Sequence, residues 1–318
     1  MTRRDRLANA SRVTQVAAPD RLEGITIRPA TTADSVPTYE VFVDATDHLA
    51  RTRGWPYTPR PMTPPQRFLA FRVNALTNDP GGFWVAEADG GLVGFGIAVQ
   101  REHVWYLAAL HVRPDYQSRG VGSAILRRAL QIAAPGSLLT VGADARTPVS
   151  NALYGRFGMF PEMTLLELSG PAGAGETGLL VRGAPSATDL ASIDRAVLGF
   201  ARLQDHAFWG SVPNLQVCTV ARQGRAVGYA YVQADGAIGP IAVLDAVDLA
   251  PTLEASIAVA ASLGATRARV RIPGAARVAI GGLLRRAWRY GDGMTVVLTS
   301  APWGRWDRYV TSGGDALL

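Results

Sequence analysis

Three residues in the run RPDYQSRGVGSAIL, Arg113 to Leu126, have types and spacing suited to holding an anion: Gln117, Gly120 and Gly122. A helix-like pattern starts directly after them. The first amides of a helix have no partner inside it, and the helix dipole favours negative charge there. Glycine at 120 and 122 removes the Cβ that would keep a bulky oxyanion away from the backbone. The run is not a Walker loop, because no Gly-Lys-Ser/Thr follows, and it is not the dinucleotide fingerprint, because the third glycine position holds Ile125. A glycine turn also serves as a plain helix cap, and the glycines alone leave both readings open. Other reactive side chains are sparse. Cys218 is the single cysteine, so no disulfide forms within the chain. The four histidines, His48, His103, His111 and His206, lack ligand-like spacing, and no metal is expected.

The elements that must position the turn can be read from the surrounding pattern. His103–Val112 is almost wholly apolar, as a strand buried on both faces is. The helix after the turn runs to about Ala134, where Pro135-Gly136 stops it. Upstream, Ile25–Arg28 reads as a strand and Ala33–Ala50 as a helix with Thr31 or Thr32 as its cap. The proline-rich run RTRGWPYTPRPMTPP is a loop, and Pro65–Leu76 a second helix. Gly82–Ala88 and Leu92–Gln100 make a hairpin around ADGG. Downstream come a strand at Leu138–Val141, a helix from Thr147-Pro148 through Phe157, and a strand at Glu162–Leu168.

With its flanking strand, the glycine run resembles the acyl-CoA-binding motif of the GNAT-superfamily N-acetyltransferases. Leu110, Val112 and Pro114 match the strand end, and Gln117, Gly120 and Gly122 match the turn. A second stretch, SNALYGRFGMF, is similar to the family's Asn-Tyr pattern at Asn151 and Tyr154, with Gly158-Met159-Phe160 in place of the usual Gly-Phe. The resemblance implies acetyl-CoA as co-substrate. It implies main-chain contacts from Leu110, His111 and Val112 to the pantetheine arm, and diphosphate contacts from Gln117, Ser118, Arg119, Gly120, Val121, Gly122 and Ser123. Asn151 would touch the pantetheine, and Tyr154 would donate to the departing thiolate. The acceptor is a small-molecule or peptide amine, and Glu102 is the candidate base, with His103 and a water chain as competitors. His111 reads as a packed core or cleft histidine rather than a catalyst. Trp55, Tyr57, Trp84, Trp105 and Tyr106 either shape the acceptor site or pack elsewhere. A non-catalytic acyl-CoA sensor is the alternative function.

The chain of 318 residues is long enough for two domains. SGPAGAGETG, at Ser169–Gly178, splits it near the middle. ITIRPATTAD is echoed by LLVRGAPSATD, LVGFGIAVQ by AVGYAYVQ and EMTLLELS by GMTVVLTS, in the same order in each half. The expected architecture is α+β, with two GNAT-like domains, each a mixed, mostly antiparallel twisted sheet flanked by helices. They would cover residues 23–169 and 178–318, joined by a linker at 170–177 and preceded by a disordered basic tail at 1–22. The second copy lacks the glycine motif. Asp245 and Asp248 stand where a diphosphate would bind, and Arg285 falls opposite Tyr154, so that half is expected to be degenerate. The net charge of +6, all of its basic residues arginine, suits an anionic ligand. The basic run Arg269–Gly293 with Trp288 and Tyr290 reads as one solvated helix face sooner than as a nucleic-acid surface. No apolar stretch is long enough for a membrane span and no signal peptide is visible, so a cytoplasmic monomer or homodimer is expected.

Overall fold

The computed structural model describes residues 22–55, 59–173, 175 and 178–312. The tail expected at 1–22 lies outside the described residues except for Leu22, and so does Tyr57. One sequence of elements occurs twice. The first pass is β1 (Thr26–Pro29), α1 (Pro37–Arg53), α2 (Gln66–Asn78), β2 (Phe83–Ala88), β3 (Gly91–Arg101), β4 (Val104–Val112), α3 (Val121–Ala129), β5 (Leu138–Asp144), α4 (Pro148–Arg156) and β6 (Phe160–Pro171). The second is β7 (Leu180–Arg182), α5 (Ala187–Val197), α6 (Leu203–Ser211), β8 (Leu215–Arg222), β9 (Arg225–Gln233), β10 (Ala237–Val243), α7 (Leu249–Ser262), β11 (Arg267–Pro273), α8 (Arg277–Arg285) and β12 (Arg289–Thr299). A short strand, β13 (Tyr309–Val310), follows. The two passes make the α+β tandem. By contacts the chain divides into two compact units, residues 1–140 with 156–158, and residues 141–155 with 159–318. No helix among the described residues is long and apolar enough to cross a membrane.

In the first unit β1, β2, β3 and β4 pair antiparallel in chain order. Helix α3 packs close against β3. A Cβ at Gly96 would fall 2.5 Å from the Ile125 side chain, and one at Gly94 would fall 3.1 Å from it. Those two strand glycines give up side-chain packing so that the helix can approach. The far end of the helix is tied down as well, since the Trp105 indole donates to the Ala129 carbonyl at 3.0 Å. The α-helix stops there and continues only as a 3-10 turn at Leu130–Ile132, short of the expected Ala134. Strand β4 is buried along its first half and half-buried from Ala109 onward, where burial on both faces was expected. The first long helix also departs from expectation. Thr31 and Asp34 form a capping box around a 3-10 turn, and α1 begins only at Pro37.

In the second unit the strands run in the order β12, β6, β11, β10, β9, β8, β7. Only β10 and β11 are parallel. The last strand of the first repeat, β6, is therefore built into this sheet between β11 and β12. Gly170 sits under Trp288, leaving no room for a Cβ, and Trp288 is 2% exposed. This tryptophan belongs to the core and is not part of a basic stacking face.

Beneath β9 lies a fully buried polar cluster. Arg202 donates to Tyr229 and Tyr309 at 2.8 Å each. Tyr229 donates to Asp194 at 2.6 Å, and His206 bridges Asp194 at 2.9 Å and Tyr231 at 2.8 Å. Burial works against the Asp194 carboxylate, but Arg202, His206 and Tyr229 together outweigh it and hold its pKa below the usual range. Stability from this group is present above the unfolded carboxylate pKa and is lost as pH falls through the lower native value. Removing Asp194 takes from buried Arg202 and His206 an acid they share, so Asp194→Ala is expected to destabilise the protein by roughly 3 kcal/mol at neutral pH. The loss should shrink in acid. Thermal unfolding across pH checks this, and an unchanged midpoint at pH 7 would contradict it.

Candidate functional site

The first unit carries the glycine turn. After β4 the chain makes a 3-10 turn at Pro114–Tyr116, and Gln117 sends its side-chain amide back to the Val112 carbonyl at 2.9 Å. Ser118 follows at φ +61° and Gly120 at φ +88°, both left-handed. A Cβ at Gly120 would meet only Leu22, at 3.4 Å. Gly120 is therefore required by its backbone conformation, and crowding has no part in it. It caps α3, and the first intrahelical bond runs from the Ala124 amide to the Gly120 carbonyl at 3.0 Å. The amides from Gly120 to Ser123 precede that bond and have no helical partner. Residues Gln117 to Gly120 are exposed, so this end of the helix faces solvent. Arg119 lies over the Tyr116 ring at 5.1 Å, and Tyr116 donates to Asp89 at 2.8 Å. That hydrogen bond raises the Tyr116 pKa and keeps the phenol neutral.

On the opposite face of β4 the His111 ring lies 5.1 Å from Phe42 and 5.3 Å from Phe95. Phe42 and Phe68 on α1 and α2 are 5.5 Å apart, and both are half-buried, as is His111. This face is aromatic and partly open. Glu102 and His103 make the turn between β3 and β4, at the start of the strand. The strand from Val104 to Leu110 alone is about 20 Å long. The structure does not bring Glu102 or His103 to the Leu110–Val112 end.

The second unit carries the Asn-Tyr motif. Thr147 folds its hydroxyl back to the Asp144 carbonyl at 2.7 Å, which starts α4. The Asn151 amide donates to the Asp144 and Ala145 carbonyls at 3.2 and 3.4 Å. Its Oδ1 is buried and accepts no hydrogen bond among the described residues. A buried acceptor of this kind suits an amide N–H from a ligand. Tyr154, one helical turn further on, is 5% exposed. The motif singles out both residues, but the orphaned oxygen depends on the Asp144 and Ala145 carbonyls and has no mark in the motif. In the same unit Asp245 caps the Val247 amide at 3.2 Å, and Asp248 pairs with Arg222. These acids are committed to local structure.

Comparison with known proteins agrees with this geometry. The model of the Acetyltransferase (GNAT) family matches residues 42–159, which include the glycine turn, Asn151 and Tyr154. Among solved structures the fold is similar to a putative acetyltransferase from Pyrococcus horikoshii, with a TM-score of 0.74 at 19% identity, covering 96% of this chain and 100% of that one. It is similar to a GCN5-related N-acetyltransferase from Sphaerobacter thermophilus, with a TM-score of 0.60 at 14% identity, covering 92% and 98%. It also resembles a tandem GNAT protein from the clavulanic acid biosynthesis pathway, with a TM-score of 0.55 at 14% identity, covering 87% and 99%. No curated protein matches the chain by sequence. Residues 42–159 thus match the GNAT acetyltransferase family model, and the fold is similar to that of a tandem GNAT protein.

Proposed function

We propose that the protein is an acyl-CoA-dependent N-acyltransferase that moves an acetyl group from acetyl-CoA to a small-molecule or peptide amine. The functional domains would be residues 23–169 and 178–318, with 170–177 between them, and only the first would be competent. The observation that carries this reading is the solvent-facing start of α3. Its free amides follow an exposed left-handed turn, and the helix is fixed against β3 at Gly94 and Gly96.

Each proposed residue has a distinct task. Amides from Gln117, Ser118, Arg119, Gly120, Val121, Gly122 and Ser123 hold the diphosphate. Leu110, His111 and Val112 present main-chain groups to the pantetheine arm, and the Val112 N–H polarises the thioester carbonyl. The buried Oδ1 of Asn151 accepts from a pantetheine amide, which supports acetyl-CoA as the co-substrate. The neutral acceptor amine attacks the carbonyl carbon, a C–N bond forms and the C–S bond breaks. Tyr154, carried over from the motif, donates a proton or hydrogen bond to the departing thiolate. An acceptor ammonium must first lose its proton. With Glu102 at the far end of β4, water is assigned that step. The partly open aromatic face at Phe42, Phe68 and His111 supports an acceptor with an apolar portion.

Gly120→Glu should abolish acetyl-CoA binding, because it puts a carboxylate at the diphosphate and forces a side chain to φ +88°. Calorimetry reads the result, and retained affinity would refute the anion site. Tyr154→Phe should lower kcat by about 10–100-fold with cofactor affinity nearly unchanged. Thiol release with a panel of amines measures this, and full turnover would remove Tyr154 from the chemistry.

A further inference from the structure

The second repeat places β10, followed by a 3-10 turn at Ala246–Asp248 and α7, where the first places β4, a 3-10 turn and α3. The two strands end differently. Leu110 to Val112 on β4 are half-buried, whereas every residue of β10 is buried. The cause is β13. Strands β10 and β11 pair in parallel only at Ala237↔Arg269 and Ile238↔Val270. Beyond that point Ile241 and Ala242 pair with Val310 and Tyr309. Thr311 bonds the other side of the gap, its amide and hydroxyl both donating to the Arg271 carbonyl, at 3.1 and 2.9 Å. The C-terminal segment therefore lies between two diverging parallel strands and supplies main-chain partners to both.

The seat is built for close contact. Gly239, at φ +130°, leaves no room for a Cβ because the Thr311 carbonyl oxygen lies against it. Residues Tyr309 to Ser312 are at most 5% exposed. The Tyr309 hydroxyl reaches Arg202 in the buried cluster, and Arg308 donates to the Leu244 carbonyl. A gap between diverging strands requires an extended chain with amide groups, the strand-addition mode of recognition.

We propose that the second unit retains a groove of the acyl-carrier kind and that Tyr309–Thr311 fills it in place of a pantetheine arm. The inference rests on the pantetheine reading of Leu110–Val112 above. The ligand class the groove would take is an extended diamide such as pantetheine, without its diphosphate. Asp245 and Asp248 sit at the helix start that would otherwise receive the phosphates. The C-terminal strand thereby sets the number of acyl-CoA sites at one per chain and completes the second sheet.

The test is a chain ending at Arg308, compared with the chain whose residues 309–318 are intact, both made in the Gly120→Glu background and titrated with pantetheine. That substitution leaves the Leu110–Val112 strand end in place in both chains, so the difference between them is read. Pantetheine at ten times its Kd should raise the thermal midpoint of the shortened chain by about 4 °C more than that of the intact chain. A synthetic peptide of residues 309–318 should abolish the difference. An equal response in both chains, or none in the shortened chain, overturns the proposal. If the shortened chain does not fold, Thr311→Pro in the same background is titrated instead. It removes both donors to the Arg271 carbonyl, and the same two outcomes decide. Acetyl-CoA binding by the unmodified chain is measured alongside, so a failed first-unit site and a failed second-unit groove give different results.

Discussion

Helix α3 can aim its open amides outward because β3 lets it come close. Gly96 sits beneath Ile125 where a side chain would collide, Gly94 leaves it little room, and Trp105 holds the other end at Ala129. The helix is thereby fixed in position before any ligand arrives. Gly120 then adds the left-handed step that turns the chain from β4 into the helix with its amides unobstructed. An anion site of this kind needs no charged side chain to form, because its donors belong to the backbone and their direction is set by packing. Displacing α3 from β3 would disturb the turn, the strand end at Val112 and the aromatic face behind His111 together.

The second unit applies the same element order to a different end. Its helix start is occupied by Asp245 and by the Asp248–Arg222 pair, and its diverging strands are bridged by Tyr309–Thr311. The Asp194–Arg202–His206 cluster anchors that bridge through Tyr309. Burying so many polar groups is costly unless each is paired, and here they pair with one another across α5, α6, β9 and β13. The insertion of β6 between β11 and β12 makes the first repeat's last strand part of the second unit's sheet.

The parts of this arrangement that depend on near neighbours in the chain were legible in the sequence. The glycine turn, the β2–β3 hairpin around Asp89-Gly90 and the Thr147-Pro148 helix start are all local, and each carries its own residue signature. The repeat was visible because its matches kept their order. What depends on distant partners was not visible. The half-burial of Leu110–Val112 reflects what packs on β4, which its apolar pattern does not report. The place of β6 is set by strands more than a hundred residues further on. Tyr309–Val310 is too short to show a period. Trp288 lies in the basic run Arg269–Gly293, whose pattern does not report that Gly170 fits beneath it as a core contact. Glu102 is near the motif in sequence, but the length of β4 carries it away from Leu110–Val112.

One acyl-CoA site is proposed for a chain that contains the fold twice. Calorimetric titration of the full chain with acetyl-CoA, read for stoichiometry, counts the sites. One site per chain is expected. Two sites would contradict the closed second unit. No binding of acetyl-CoA or of longer acyl-CoAs would leave the Gly120 turn a structural cap, and the enzymatic reading would fall with it.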